Sequence, residues 1–244
     1  MRVAIVHDYF KEFGGAERVV YELLNLYPDA DLYAAFSSIK SGSMLHQYFD
    51  NRKIHTTFLQ KFPWREKYSS WLRVLLPWAW RSLDFSKYDI VISSSASYCS
   101  HWIKVKKPTK HLCYCHTPAR YLWGLPTAKE ASKYGILRPF IFLINHFMRT
   151  YDYYKAQEVD LFIANSVNVQ SRIKKFYRRE AEVVYPPILD QRSNIKNQKS
   201  KTKEKFFLTV GRLSREKHVD VIVKACEELG ERLIVVGTGK EMKN

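Results

Sequence analysis

Residues 2–27 read RVAIVHDYFKEFGGAERVVYELLNLY, and the fold follows from this stretch. RVAIV at 2–6 is short, apolar and rich in β-branched residues, as a strand buried on both faces requires. Val19, Val20, Leu23, Leu24 and Tyr27 then recur at helical spacing. Between strand and helix lies a loop that ends in Gly14 and Gly15, with Glu17 in the helix's first turn. A strand, a glycine loop and an amphipathic helix form the opening half of a βαβ unit.

The same alternation continues downstream. Strand-like runs are DLYAAF at 31–36, KIHTTFL at 53–59, DIVISSS at 89–95, HLCYCH at 111–116, DLFIANS at 160–166 and EVVYPP at 182–187. Arg138 to Val159 reads as a long aromatic-rich helix. The pattern predicts an α/β fold with a doubly wound, parallel, Rossmann-like sheet over residues 1–189. Residues 190–205, DQRSNIKNQKSKTKEK, carry six basic residues and almost nothing for a core, so they read as an interdomain linker. The alternation then restarts. FFLTVG at 206–211 and RLIVVG at 232–237 read as strands. The helix between them, Val219 to Leu229, carries Val219, Ile222, Val223 and Cys226 on one face. One βαβ unit cannot bury both faces of its strands, so the second domain, 206–244, is expected to be incomplete.

Composition narrows the function classes. Hydrophobic residues make up 46% of the 244, enough for a sizeable core. The N-terminus has no long apolar stretch and no small-residue cleavage site, which predicts a cytoplasmic protein. Cys113 and Cys115 lie near His111 and His116, but no second ligand pair has zinc-type spacing. All four cysteines therefore read as buried thiols, with no metal and no cofactor implied. The net charge of +16 favours anionic partners: nucleotide phosphates, nucleic acid or an acidic membrane surface. No nucleic-acid module is recognisable, so nucleic acid ranks last.

Three segments carry the candidate chemistry. Gly14, Gly15 and Glu17 sit where a strand's carboxyl end meets a helix N-terminus, which favours an anion. Taken alone, an ordinary βα turn explains them equally well. The second segment runs Cys115-His116-Thr117-Pro118-Ala119-Arg120-Tyr121-Leu122-Trp123. His116 suits a hydroxyl or a proton, Arg120 an anion, and Trp123 a sugar face. The third follows the first strand of the second domain. Gly211 opens its turn, Arg212 and Lys217 suit a diphosphate, and Gly237 and Gly239 offer backbone donors. For any one of these charged residues, solvated surface is the bland alternative.

Together the segments resemble the GT4-type glycosyltransferases of GT-B fold. The resemblance implies that Gly14-Gly15-Ala16-Glu17 faces the cleft between domains and that His116 contacts the transferred sugar. It implies that Gly211, Arg212 and Lys217 hold the donor diphosphate, with Gly237 and Gly239 beside them. A retaining, metal-independent hexosyltransferase is expected, with a nucleotide-sugar donor and a glycan or lipid-linked acceptor. Surface polysaccharide assembly is the usual setting, and mannose is one possible sugar. The family's downstream motif of two glutamates flanking seven residues has no match here. The chain by itself is therefore expected to act poorly. A non-catalytic acceptor-binding or membrane-associated module is the alternative.

Residues 61–81, KFPWREKYSSWLRVLLPWAWR, hold Trp64, Trp71, Trp78 and Trp80 with five basic residues and one acidic. Trp64, Trp71 and Trp78 are seven apart and would share a helical face, broken at Pro77. With Arg73 they compose either an interfacial surface for anionic lipid on the inner face of the plasma membrane, or a pair of core-packing helices.

Overall fold

The computed structural model describes residues 1–125, 138–188, 205–214 and 217–239. Apart from Lys205, the linker read at 190–205 lies outside them, as do Arg215 and Glu216 of the third segment. The described residues fall into two compact units, one of residues 1–125 and 138–188, the other of 205–214 and 217–239.

The first unit is built on a seven-stranded sheet. Its strands are β1 (Val3–His7), β2 (Asp31–Ala34), β3 (Ile54–Thr56), β4 (Ile90–Ser95), β5 (Lys110–Cys115), β6 (Leu161–Ala164) and β7 (Ala181–Val183). Their order is β3-β2-β1-β4-β5-β6-β7, and every pairing is parallel. The longer helices are α1 (Gly15–Leu26), α5 (Arg138–Gln157) and α6 (Val167–Tyr177). Short ones are α2 (Met44–Phe49), α3 (Ser69–Leu72) and α4 (Leu76–Arg81). This is the doubly wound arrangement expected from the sequence. Winding reverses between β1 and β4, so the crevice at their carboxyl ends is the natural ligand position.

Several strands are shorter than the apolar runs suggest. KIHTTFL yields only Ile54–Thr56 because the Thr57 hydroxyl accepts the Leu59 N–H at 3.2 Å and starts a 3₁₀ turn. The 160–166 run ends at Ala164 because the Ser166 hydroxyl caps α6 through the Val169 N–H at 3.3 Å. The heptad of tryptophans does not lie on one helix. Trp64 stands in a left-handed turn (φ 52°) ahead of α3, and a 3₁₀ turn at Arg73–Leu75 separates α3 from α4, with Pro77 in the first turn of α4. Trp64, Trp71 and Trp78 are nonetheless 72%, 50% and 63% exposed. Trp80 is buried and donates to the Tyr98 carbonyl at 2.8 Å. Arg73 turns its guanidinium over the Tyr121 ring, 4.4 Å from the centroid.

Two buried carboxylates organise the carboxyl side of the sheet. Asp8 accepts the N–H groups of Ala96, Tyr98 and Ser100 at 3.0, 2.7 and 2.9 Å, fixing the loop after β4. Asp152 on α5, fully buried, accepts the indole N–H groups of Trp102 and Trp123, each at 2.6 Å, and the Tyr177 hydroxyl at 3.0 Å. It ties three separate segments to one helix. All four cysteines are free and buried, and burial pushes the Cys113 thiol up to about 12.

The second unit has β8 (Phe207–Val210) and β9 (Leu233–Val236), paired in parallel, with α7 (Val219–Leu229) between them in sequence.

Asp152→Ala should be strongly destabilising, because two buried donors and one part-buried donor lose their acceptor at about 1–3 kcal/mol each. Urea unfolding should show a loss of at least about 3 kcal/mol. A loss below about 1 kcal/mol would mean that the cluster relaxes around the gap.

Candidate active site at the switch point

β1 pairs with β4 in a register that sets His7 directly beside Ser94. His116 follows β5 immediately, one strand further on, and its N–H donates to the Ser95 carbonyl at 2.9 Å. Three sequence-distant residues thus meet at the crevice. Ser94 Oγ lies 3.1 Å from His7 Nδ1 and 2.8 Å from His116 Nε2. The other nitrogen of His7, Nε2, lies 3.3 Å from Glu17 Oε1. Glu17 Oε2 accepts the Gly14 N–H at 2.8 Å, which anchors the carboxylate at the start of α1. A continuous chain of contacts therefore runs Glu17–His7–Ser94–His116.

The electrostatics of the chain are defined. Burial pushes the Glu17 carboxyl up, but the His7 hydrogen bond, with the backbone N–H groups, outweighs it and holds the group below its usual value. Burial lowers His116 to about 3, so its ring is neutral at physiological pH. The Asn165 side-chain amide donates to the His116 carbonyl at 3.1 Å and steadies the backbone there.

The remaining residues singled out in the sequence take varied positions. A Cβ on Gly14 would press on the Glu17 carboxylate at 3.2 Å, whereas open space surrounds the same position on Gly15. Arg120 is exposed. Trp123 donates its indole N–H to Asp152 and stacks on Phe176 at 5.0 Å, so its polar edge and one face are taken up internally. Arg212 and Lys217 are exposed in the second unit. There Gly237 and Gly239 have a packing reason of their own. A side chain on either would run into the carbonyl oxygen of Gly211 or Leu213, because the two loops lie back to back. Gly211 N–H donates to Val236 at 3.0 Å, and Leu213 N–H to Thr238 at 2.9 Å.

His7 and Ser94 were not among the residues picked out in the sequence. The one available signal was position: each stands at the carboxyl end of a strand-like run. Among the described residues, no group of three His, Cys, Asp or Glu side chains is arranged to hold a metal ion.

The model of Glycosyltransferase Family 4 matches residues 13–192, about three quarters of the chain. The chain belongs to that family. The model of Glycosyl transferases group 1 matches residues 190–244. No curated protein matches the sequence. Among solved structures, the S. aureus MnaA–UDP complex is 11% identical, with a TM-score of 0.50; the alignment covers 100% of this chain and 63% of that one. Anabaena HepE in complex with UDP is 13% identical, with a TM-score of 0.48, covering 99% of this chain and 70% of that one. A UDP-N-acetylglucosamine 2-epimerase described from Listeria monocytogenes is 9% identical, with a TM-score of 0.49, covering 97% and 62%. The chain thus spans less than two thirds of the length of the S. aureus and Listeria proteins. With the family, the likeness to the S. aureus structure supports the GT-B fold: a Rossmann-like unit followed in sequence by a parallel βαβ unit.

The neutral histidines carry a pH signature. His111, buried against Ser93 Oγ at 2.9 Å, is also lowered to about 3 by burial. In the unfolded chain both imidazoles titrate near about 6.5. Between about pH 6.5 and 3 the unfolded state binds more protons, so stability falls as pH falls through that window and is intact above it. The urea midpoint should drop from about pH 7 to about pH 5, at most about 1.4 kcal/mol per pH unit for each ring. The ring resonances of His111 and His116 should stay constant over the same range, and titration of either ring near 6.5 would contradict the assignment.

Proposed function

We propose that this protein serves a nucleotide-sugar-dependent hexosyl transfer to a glycan or lipid-linked acceptor in surface polysaccharide assembly. The observation that carries the reading is His116: a neutral, half-buried imidazole at the topological switch point of a Glycosyltransferase Family 4 chain. A neutral ring suits a hydrogen bond to a sugar hydroxyl rather than an ionic contact. On this reading residues 1–189 form the acceptor side, 190–205 the linker, and 206–244 the start of the donor side. Gly14 and Gly15 belong to the donor-binding set, and Glu17, Arg120 and Trp123 to the acceptor side.

Arg212 and Lys217 act on the donor diphosphate, aided by the Gly211, Gly237 and Gly239 backbone. Their role is to stabilise charge on the departing nucleoside diphosphate, in a retaining and metal-independent transfer. Candidate donors include UDP-glucose and GDP-mannose; the S. aureus MnaA structure carries UDP, which makes uridine nucleotides the first to try. The test is a transfer assay over a panel of nucleotide sugars, with and without a chelator. Arg212→Ala and Lys217→Ala should each lower kcat/KM on the order of 100-fold. Transfer that collapses on chelation would overturn the metal-independent part, and indifference to both substitutions would overturn the diphosphate assignment.

The acceptor side also supports a peripheral membrane position at the inner face of the plasma membrane. Among the described residues no helix is long and apolar enough to cross a membrane. Trp64, Trp71 and Trp78 instead present exposed indoles beside Lys61, Arg65 and Lys67. Burying about half of an indole's roughly 200 Å² at an interface contributes on the order of 2–3 kcal/mol. The protein should float with vesicles containing anionic lipid and remain behind with purely zwitterionic ones. Replacing the three tryptophans together by alanine should abolish flotation without altering the unfolding midpoint. Recovery of the unaltered protein in the soluble fraction with anionic vesicles sinks the membrane reading.

A further inference from the structure

We propose that Glu17, His7 and Ser94 are positioning residues that hold the His116 ring in one neutral tautomer, with the proton on Nε2 and Nδ1 kept as a hydrogen-bond acceptor. The functional part rests on His116 being the sugar contact; the proton order itself does not.

Each step of the chain fixes the next. Glu17 is ionised and can only accept, and its Oε2 is already occupied by the Gly14 N–H. Oε1, 3.3 Å from His7 Nε2, therefore requires a proton on that nitrogen. In a neutral imidazole the other nitrogen is then a bare acceptor. His7 Nδ1 must take the Ser94 hydroxyl proton across 3.1 Å. With its single proton committed, Ser94 Oγ offers only lone pairs to His116, 2.8 Å away. His116 Nε2 must donate, and Nδ1 is left unprotonated. Among the described residues no hydrogen bond reaches Nδ1. The opposite order would need protons on both nitrogens of His7, as the cation of an ion pair with Glu17.

The consequence is selectivity in what His116 can bind. A ring free to choose its tautomer offers either a donor or an acceptor. A ring fixed by Glu17 offers an acceptor at Nδ1, which a sugar hydroxyl satisfies and a carbonyl or phosphate oxygen does not. The carboxylate exerts this control through two intervening side chains, without touching the ligand.

Imidazole nitrogen NMR on the ¹⁵N-labelled 244-residue chain at about pH 8, above the ordinary imidazole range, reads the tautomers directly. The expected spectrum has His7 and His116 both protonated at Nε2 and bare at Nδ1. Ser94→Ala should turn His116 into a mixture of tautomers while His7 keeps its Nε2 proton. Glu17→Gln should disturb His116 as well, although the two side chains do not touch. Ser94→Thr, which keeps the hydroxyl, should restore the single tautomer. A His116 protonated at Nδ1 in the unaltered chain, a doubly protonated His7, or a His116 tautomer indifferent to Glu17→Gln would each overturn the proposal. The unaltered chain alone suffices for the first two outcomes, so a variant that fails to fold does not shield the idea. An error in the sugar-contact reading would appear elsewhere, as transfer unaffected by His116→Ala.

Discussion

The parallel pairing of β1 with β4 is the constraint on which the rest of the first unit depends. It is the point where the order of strands reverses, so helices leave the two strand ends in opposite directions and a crevice stays open. Register does the chemical work there. Because His7 lies beside Ser94, a slip of one residue would send their side chains to opposite faces of the sheet. The site is therefore specified by hydrophobic burial far from it. Val3, Ala4, Ile5 and Val6 of β1 and Val91 and Ile92 of β4 are all buried, and the core they fill has only one acceptable register.

The edge of such a sheet still needs its loops held, and here buried carboxylates do that. An isolated ionised carboxyl in an apolar interior is very costly, and it is tolerated only when hydrogen bonds satisfy it. Asp8 has three backbone donors and Asp152 two indoles and a phenol. His101 Nε2 also lies 3.0 Å from Asp152 Oδ1, within ion-pair distance but without hydrogen-bond geometry. These hubs fix where the chain goes after β4 and β5, and so where His116 is presented. Trp123 belongs to this scaffold at least as much as to any cleft.

The sequence made the strands legible because a fully buried parallel strand has to be a short β-branched or apolar run, and little else in the chain looks like one. The glycine loop and His116 were legible because they occupy fixed places relative to those runs. His7 and Ser94 were not, because their importance lies in a pairing between residues 87 apart, which local pattern does not encode. The tryptophan heptad was legible only in part. A regular spacing was present, but the left-handed turn at Trp64 and the 3₁₀ turn at Arg73–Leu75, between α3 and α4, divide the segment. Spacing implies a common helical face only where the backbone is continuously helical.

The end of β4 shows how function separates from structure when the chemistry is the same. Ser93, Ser94 and Ser95 each place a hydroxyl against histidine: His111 at 2.9 Å, His7 and His116 at 3.1 and 2.8 Å, and His101 at 2.8 Å. Alternation along a strand sends Ser93 and Ser95 to one face and Ser94 to the other. His111 and His101 are each 2% exposed, so their hydrogen bonds satisfy polar groups inside the core. His116 is half-buried, and among the described residues no hydrogen bond reaches its Nδ1. A serine-histidine contact by itself does not distinguish a packed interior from a binding site. What distinguishes the middle serine is that its chain of contacts begins at a part-buried carboxylate and ends at a ring that is not fully buried.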